Sequence, residues 1–440
     1  MKITLIGNDI PSLLPSLLAD LWFAHPCDAE VWMEERNEAM RDLALRYGGA
    51  VAARAGRGEM HASADRDEVL RGADCVIYAG EPMAASRFRM DREALSGPEG
   101  EDEIGLSDQA RPLGGIGGLM RTLRQGEFIH ALCDRMREMC PDAPVITLAQ
   151  PVGRTVAMFR QRGFAAWGLT KGWRGGAAGL QGLCDRLGRK PEDVEAAAAG
   201  LPDFCFLTAL RDRKNGASLL PELARITREG SNGQLARRWL DMLGAVPVGD
   251  LGRHADQMPA QEDYAPDPDP ALAEPVPKRK DRILKMNTVA EKGLRDREGQ
   301  AAQLLLLSAA PAARPVQLAL ALMEKRDLRL DAAVRVNAGG AVDNLPREAI
   351  VEAPLTLKAG EEQPERIRLP GALADLCLDI DEASRLAAQA SKGDREALRE
   401  CVEIDPALGG LDRLYCMDVA DRLIELHSDI LSRWGGEEDD

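Results

Sequence analysis

Histidine and the aromatic residues are scarce in this sequence. Only 5 histidines occur, at positions 25, 61, 130, 254 and 427, and no two lie at metal-ligand spacing, which argues against structural zinc. Aromatic side chains make up 4% of the chain, so stacking on a ligand falls to few residues. Trp173 is the first candidate, with core packing as its equal alternative. The 9 cysteines are scattered and never form CxxC, which reads as reduced thiols rather than a disulfide framework. No apolar run approaches the ~20 residues needed to span a bilayer, and the opening Met1–Gly7 lacks the apolar core of a signal peptide. Positive charge is in deficit, with a net charge of −16. That speaks against a nucleic-acid partner. With no membrane partner signalled either, the expectation is a soluble cytoplasmic protein.

What is present is the pattern of an α/β enzyme. A hydrophobic content of 45% over 440 residues suits two or three domains or one large enzyme. Short apolar runs alternate with helical periods, as in parallel sheets with crossover helices. Ala143–Trp173 shows this best. A strand at Val145–Ala149 breaks at Gln150-Pro151, an amphipathic helix follows, and a strand at Ala165–Leu169 ends in Thr170-Lys171-Gly172-Trp173. Ligands in such sheets bind beyond the carboxyl ends of the strands, so any active site should have its floor at these two breaks.

Toward the N-terminus, Met1–Gly7 reads as the first strand. Pro11 suits the first turn of a helix reaching about Trp22, and Ala29–Met33 reads as the second strand. Glu34 then stands where dinucleotide-binding folds hold the ribose hydroxyls; the solvated start of the next helix is the alternative. Of the G-x-G-x-x-G loop only Gly7 is present. Asp9 on the second glycine's position is a good helix cap but would repel a pyrophosphate. Asp74–Gly80 is a further strand. The glycines within Pro112–Gly118 mean close backbone approach or a flexible loop. Arg121 follows as an anion clamp or an ion-paired residue, and a helix runs from Glu127 to Met139. A short acidic helix is expected near Pro191–Ala198. His254–Lys278 reads as a loop or linker carrying Tyr264. Helices at Gly299–Ser308 and Pro315–Met323 precede strands at Ala333–Asn337 and Ile350–Leu357. Helices at Gly371–Ala390, Arg395–Cys401 and Asp412–Trp434 close the chain before an acidic tail.

In this order and spacing the chain resembles glycoside hydrolase family 4. The marks are CDAEVWMEE (Cys27–Glu35), GADCVIYAG (Gly72–Gly80), PLGGIGGLMRT (Pro112–Thr122), CPDAPVITLAQP (Cys140–Pro151), AAGLPDFCFLTAL (Ala198–Leu210) and VNAGGAVDNLPREAIVEAP (Val336–Pro354). The pattern Gly168 to Gly172 is similar to the α-glucosidase and α-glucuronidase branch. The resemblance implies a Rossmann-like NAD-binding domain over 1–195, a C-terminal α/β domain of the lactate/malate dehydrogenase type over 196–434, and a tail at 435–440. It also implies a homodimer or homotetramer, a small carbohydrate substrate, NAD, and a divalent metal such as manganese. In that family the sugar is oxidised by NAD, a tyrosine removes the adjacent proton, the glycosidic oxygen is eliminated, and water adds as the steps reverse.

Carried over residue by residue, the resemblance places Gly7, Glu34 and Gln150 at the cofactor. It places Arg121 and Gln150 at the sugar and Tyr264 as the base, and Trp173 joins the sugar contacts only as the stacking candidate named above. The metal-binding positions fall on Thr170 and Asp203, where thiolate and imidazole are replaced by a hydroxyl and a carboxylate, so metal affinity should fall. Lys171 is the expected substitute, an ammonium stabilising the oxyanion in the cation's place. Two other readings stand beside the glycosidase: a catalytically inactive sugar- or nucleotide-binding relative, and a plain dehydrogenase of the lactate/malate type.

Overall fold

In the computed structural model, which describes residues 1–80, 84–96, 109–174, 178–229, 234–259, 276–292, 315–363 and 365–434, strand and helix alternate through the first part of the chain. Strands β1 (Lys2–Ile6), β2 (Glu30–Glu34), β3 (Glu59–Ser63), β4 (Cys75–Tyr78), β5 (Val145–Thr147) and β6 (Ala166–Gly168) are parallel, in the order β3-β2-β1-β4-β5-β6. The helices between them are α1 (Ile10–Ala19), α2 (Glu38–Ala55), α3 (Arg66–Leu70), α4 (Ala84–Leu95), α5 (Gly115–Met139) and α6 (Val152–Gln161). Strands β1 and β4 are buried almost throughout, as expected where helices cover both faces. The expected α/β class with a Rossmann-like parallel sheet is what the chain forms.

The second part continues the same sheet in antiparallel fashion. After α7 (Leu180–Arg186) come β7 (Val194–Leu201), β8 (Phe204–Asp212), α8 (Leu220–Glu229), α9 (Gln234–Leu243), β9 (Pro247–Val248) and α10 (Leu251–Ala255). They are followed by α11 (Val276–Lys292), α12 (Pro315–Met323), β10 (Leu328–Val336), β11 (Ile350–Lys358) and β12 (Glu361–Gln363). Helices α13 (Gly371–Ala390), α14 (Arg395–Ile404) and α15 (Arg413–Leu426) close the fold. β10 bonds to β6 on one side and β11 on the other, so the sheet runs on as β6-β10-β11-β7-β8-β9. One row of paired residues, Gly168, Val334, Glu352 and Gly200, therefore crosses β6, β10, β11 and β7. A Cβ on Gly168 would meet Val152 Cγ1 at 2.3 Å, so glycine is what lets α6 lie close on this row.

Two sequence expectations are corrected here. The segment Pro112–Gly118 is not a free loop: α5 starts at Gly115 rather than Glu127. A Cβ at Gly117 would lie 2.6 Å from the Arg111 carbonyl oxygen, and one at Gly118 2.5 Å from the Leu113 carbonyl carbon. The glycines serve close approach inside the helix's first turns. The acidic helix expected near Pro191–Ala198 is a single 3-10 turn, Pro191–Asp193, running into β7. Its alanines favour helix, but eight-residue pairing with β8 overrides that preference. The expected helix at 299–308 lies outside the described residues. No helix among the described residues is long and apolar enough to cross a membrane.

Candidate functional site

Asp203 is set by a two-residue turn. β7 and β8 are joined through Pro202-Asp203 with Leu201 paired to Phe204, and Asp203 takes the left-handed conformation, φ 58°. Proline followed by a residue tolerant of positive φ is the chemistry such a turn asks for. The result is an Asp203 amide that donates to Glu352 Oε2 at 2.9 Å. Thr170, just past β6, donates its hydroxyl to Glu352 Oε1 at 2.6 Å. Glu352 is 2% exposed, and burial together with the facing Asp203 carboxylate raises its pKa to about 7. The two family metal positions thus meet, but through Glu352, which the sequence reading left without a role. Its only signal was a lone acid in the run Ala349–Pro354.

The positive charge at this site comes from an unexpected residue. Arg253 on α10 contacts Asp203 Oδ1 at 3.0 Å through Nη1 and Asp250 at 3.7 Å. α10 is capped by Asp250, which accepts from the Gly252 amide, and is tied to β8 by the buried His254. That ring lies 2.9 Å from the carbonyls of both Cys205 and Asp250; kept neutral by burial, it donates to one of them. Asp256, at the end of α10, is also buried, and burial lifts its pKa to about 7 against the opposing charges of Arg111 and Arg253.

Lys171, by contrast, is exposed, so the charge beside Asp203 is Arg253 and not the lysine. Of the two readings of Trp173, stacking platform or core, the fold takes the second. Trp173 is 2% exposed, packs with Leu180 and Leu183, and its ring N–H donates to the Asp331 carbonyl at 3.4 Å. Tyr264 lies outside the described residues. A cavity of ≈ 30 Å³ between α6, α13 and the β7–β8 turn is lined by Arg154, Asp203, Gln257, Asp381 and Arg385. It has room for water and not for a sugar ring.

A divalent metal does not fit these residues. No group of three His, Cys, Asp or Glu side chains among the described residues is placed to hold one. The Thr170 hydroxyl is committed to Glu352, and Asp203 already faces a guanidinium.

The crevice at the carboxyl end of β1 fits a dinucleotide better. Gly7 has φ 120°, and a Cβ there would lie 2.0 Å from the Ala79 carbonyl oxygen, so only glycine lets β1 turn against β4. Asp9 follows without capping α1, its amide donating to Ala79. The residue is exposed, while its carboxylate lies against Gly80. Loss of hydration there raises its pKa to about 6, opposed by the nearby guanidinium groups of Arg121 and Arg282. Guanidinium groups are the kind of donor a diphosphate takes. At the carboxyl end of β5, beside the cis Gln150–Pro151 bond, Gln150 Oε1 is a buried acceptor without a hydrogen-bond partner among the described residues. Glu34 is placed as expected at the end of β2, but Arg66 grips its carboxylate with contacts of 3.1–3.3 Å, so a ribose would have to compete for it.

Comparison with known proteins matches residues 2–170 to the family 4 glycosyl hydrolase model and residues 198–408 to the model of the C-terminal domain of that family. An alpha-galactosidase of Bacillus subtilis (strain 168) is 30% identical over 203 residues, which is 45% of this chain and 42% of that protein. The chain thus aligns with less than half of that relative's length. Two solved structures share the fold. A 6-phospho-alpha-glucosidase from gut microorganisms, in complex with NAD and Mn2+, superposes with a TM-score of 0.68 at 16% identity, covering 98% of each chain. A 6-phospho-beta glucosidase from Thermotoga maritima, with NAD and glucose-6-phosphate, gives 0.70 at 14% identity, covering 98% of this chain and 99% of that one.

Proposed function

The chain belongs to glycosyl hydrolase family 4, and from that premise we propose that it cleaves the O-glycosyl bond of a small α-glycoside with NAD as cofactor and no divalent metal. The observation that carries the reading is the buried Gln150 Oε1 at the end of β5, which has no hydrogen-bond partner among the described residues. A buried acceptor left without a donor is costly, and an incoming hydroxyl or amide would satisfy it. When bound, NAD supplies the hydride acceptor that turns a sugar ring carbon into a ketone and acidifies the neighbouring C–H.

The remaining work falls on this chain's own residues. Arg121 and Arg282 hold an anion at the crevice, with Asp9 best protonated or turned aside. Gln150 orients its ligand by accepting a hydrogen bond. Tyr264 is the group this reading assigns to proton removal, and a homodimer or homotetramer with domains meeting near residue 195 is the assembly it carries.

Cleavage of α- and β-linked chromogenic glycosides and their 6-phosphates, with NAD supplied or withheld, tests the proposal. Cleavage that requires NAD and brings solvent deuterium into the sugar is expected; cleavage indifferent to NAD overturns it. A second reading, a non-catalytic sugar- or nucleotide-binding relative, draws on the Glu34–Arg66 pair. It predicts ligand-raised melting temperature with no turnover on any of these substrates.

A further inference from the structure

The disagreement between this chain and a metal-dependent site has a specific physical form. Four carboxylates gather around α10: Asp203, Asp250, Asp256 and Glu352. Arg253 contacts Asp203 at 3.0 Å and Asp250 at 3.7 Å, and feels the charge of Asp256 as well. Glu352 joins the same cluster through the Asp203 amide at 2.9 Å. The Arg253 side chain is 20% exposed and that of Asp203 8%, so this is a partly desolvated ion cluster rather than a surface pair. Asp250 is 63% exposed, but the Asp203 side chain is buried, and a buried carboxylate that stays charged is costly without a positive partner.

We infer that Arg253 is the resident cation of this site: its guanidinium takes the place of a divalent ion against Asp203 and keeps the pocket from loading one. A guanidinium is permanently charged and presents several donors in a fixed plane. It can therefore bridge Asp203 and Asp250 as a metal would bridge oxygen ligands, and present positive charge without a bound ion. The side chains here present hard oxygens, the class that suits manganese or magnesium. Yet among the described residues no three acids, histidines or cysteines converge to hold an ion, and Arg253 fills the position against Asp203. The inference deepens the family reading at the same site, yet its test reads metal binding and can fail while glycosidase activity stands.

The full-length chain, stripped with EDTA, is titrated with Mn2+ and the free ion followed by electron paramagnetic resonance, with thermal melting in parallel. The wild-type chain should leave Mn2+ free up to the millimolar range and melt at the same temperature with or without EDTA. Arg253→Ala should melt lower, bind one Mn2+ per chain at least tenfold more tightly than wild type, and regain part of its melting temperature on adding the ion. Arg253→Lys, which keeps the charge, should gain no Mn2+ affinity. Binding of one Mn2+ per wild-type chain at micromolar concentration overturns the inference, whatever becomes of the variants. So does an Arg253→Ala chain that folds and gains no affinity, or an Arg253→Lys chain that gains as much as the alanine variant.

Discussion

At the end of β1 a carboxylate stands in a crevice that suits an anion, whereas beyond β6 a guanidinium stands among groups that suit a cation. The two regions depart from the expected pattern in mirror fashion. In the first, Asp9 opposes the ligand, and lost hydration raises its pKa to about 6 against the nearby guanidinium groups of Arg121 and Arg282. In the second, Arg253 satisfies the acids from within. On the proposed reading, one region takes its ligand under a charge-dependent restraint, while the other carries its cation as a side chain. The crevice should thus respond to pH and cofactor, and the acid cluster should not respond to metal.

The largest effect is expected where the second region meets the core. Trp173→Ala should cost about 3–5 kcal/mol by leaving a cavity among Leu180, Leu183 and their neighbours; chemical denaturation measures this. A loss under 1 kcal/mol, with ligand affinity reduced instead, would restore Trp173 as a stacking platform. Next comes the pH dependence of the acid cluster. Glu352, at about 7 instead of its ordinary 4.5, and Asp256, at about 7 instead of 3.8, both bind protons more tightly when folded. Their contribution to stability is complete below their ordinary values and is lost as pH rises through about 7. For Glu352 the total is on the order of 3 kcal/mol at most, and Glu352→Gln should reduce the slope measured by melting between pH 4 and pH 8.

At the crevice, Asp9 is protonated below about pH 6, so NAD affinity should weaken as pH rises through that value. Asp9→Asn should bind NAD roughly tenfold more tightly at pH 8 and no differently at pH 5. Equal affinity of both proteins at pH 8 by calorimetry would mean that Asp9 does not face the cofactor. The smallest effect belongs to Lys171→Ala, which should leave stability within ~0.5 kcal/mol and turnover within a few-fold. A loss of turnover beyond a hundredfold would return the oxyanion role to Lys171.

Much of the fold was legible because it follows periodicity. The strands at Met1–Gly7, Asp74–Gly80 and Ile350–Leu357 and the helix at Gly371–Ala390 lie within a few residues of β1, β4, β11 and α13. The helix expected near Pro191 failed because alanine content reports an isolated segment's preference, and pairing with β8 was invisible locally. At the site, Thr170 and Asp203 were recognisable from motif position. Glu352 was within a quoted run but carried no cue to its role, and Arg253 stood just before His254–Lys278, a stretch read as a loop whose first residues in fact belong to α10.

The sequence by itself determined the alternation of strand and helix, the family, and which motif positions had changed chemistry, because these depend on residue type and on neighbours in the chain. Only the tertiary structure decided what replaced the metal. Arg253 and Asp203 are 50 residues apart, and Glu352 is a further 149 from Asp203. Their meeting depends on the register that carries β11 beside β7 and on a short helix docked through His254. Charge compensation acts through space, and nothing along the chain records which distant side chain will supply it.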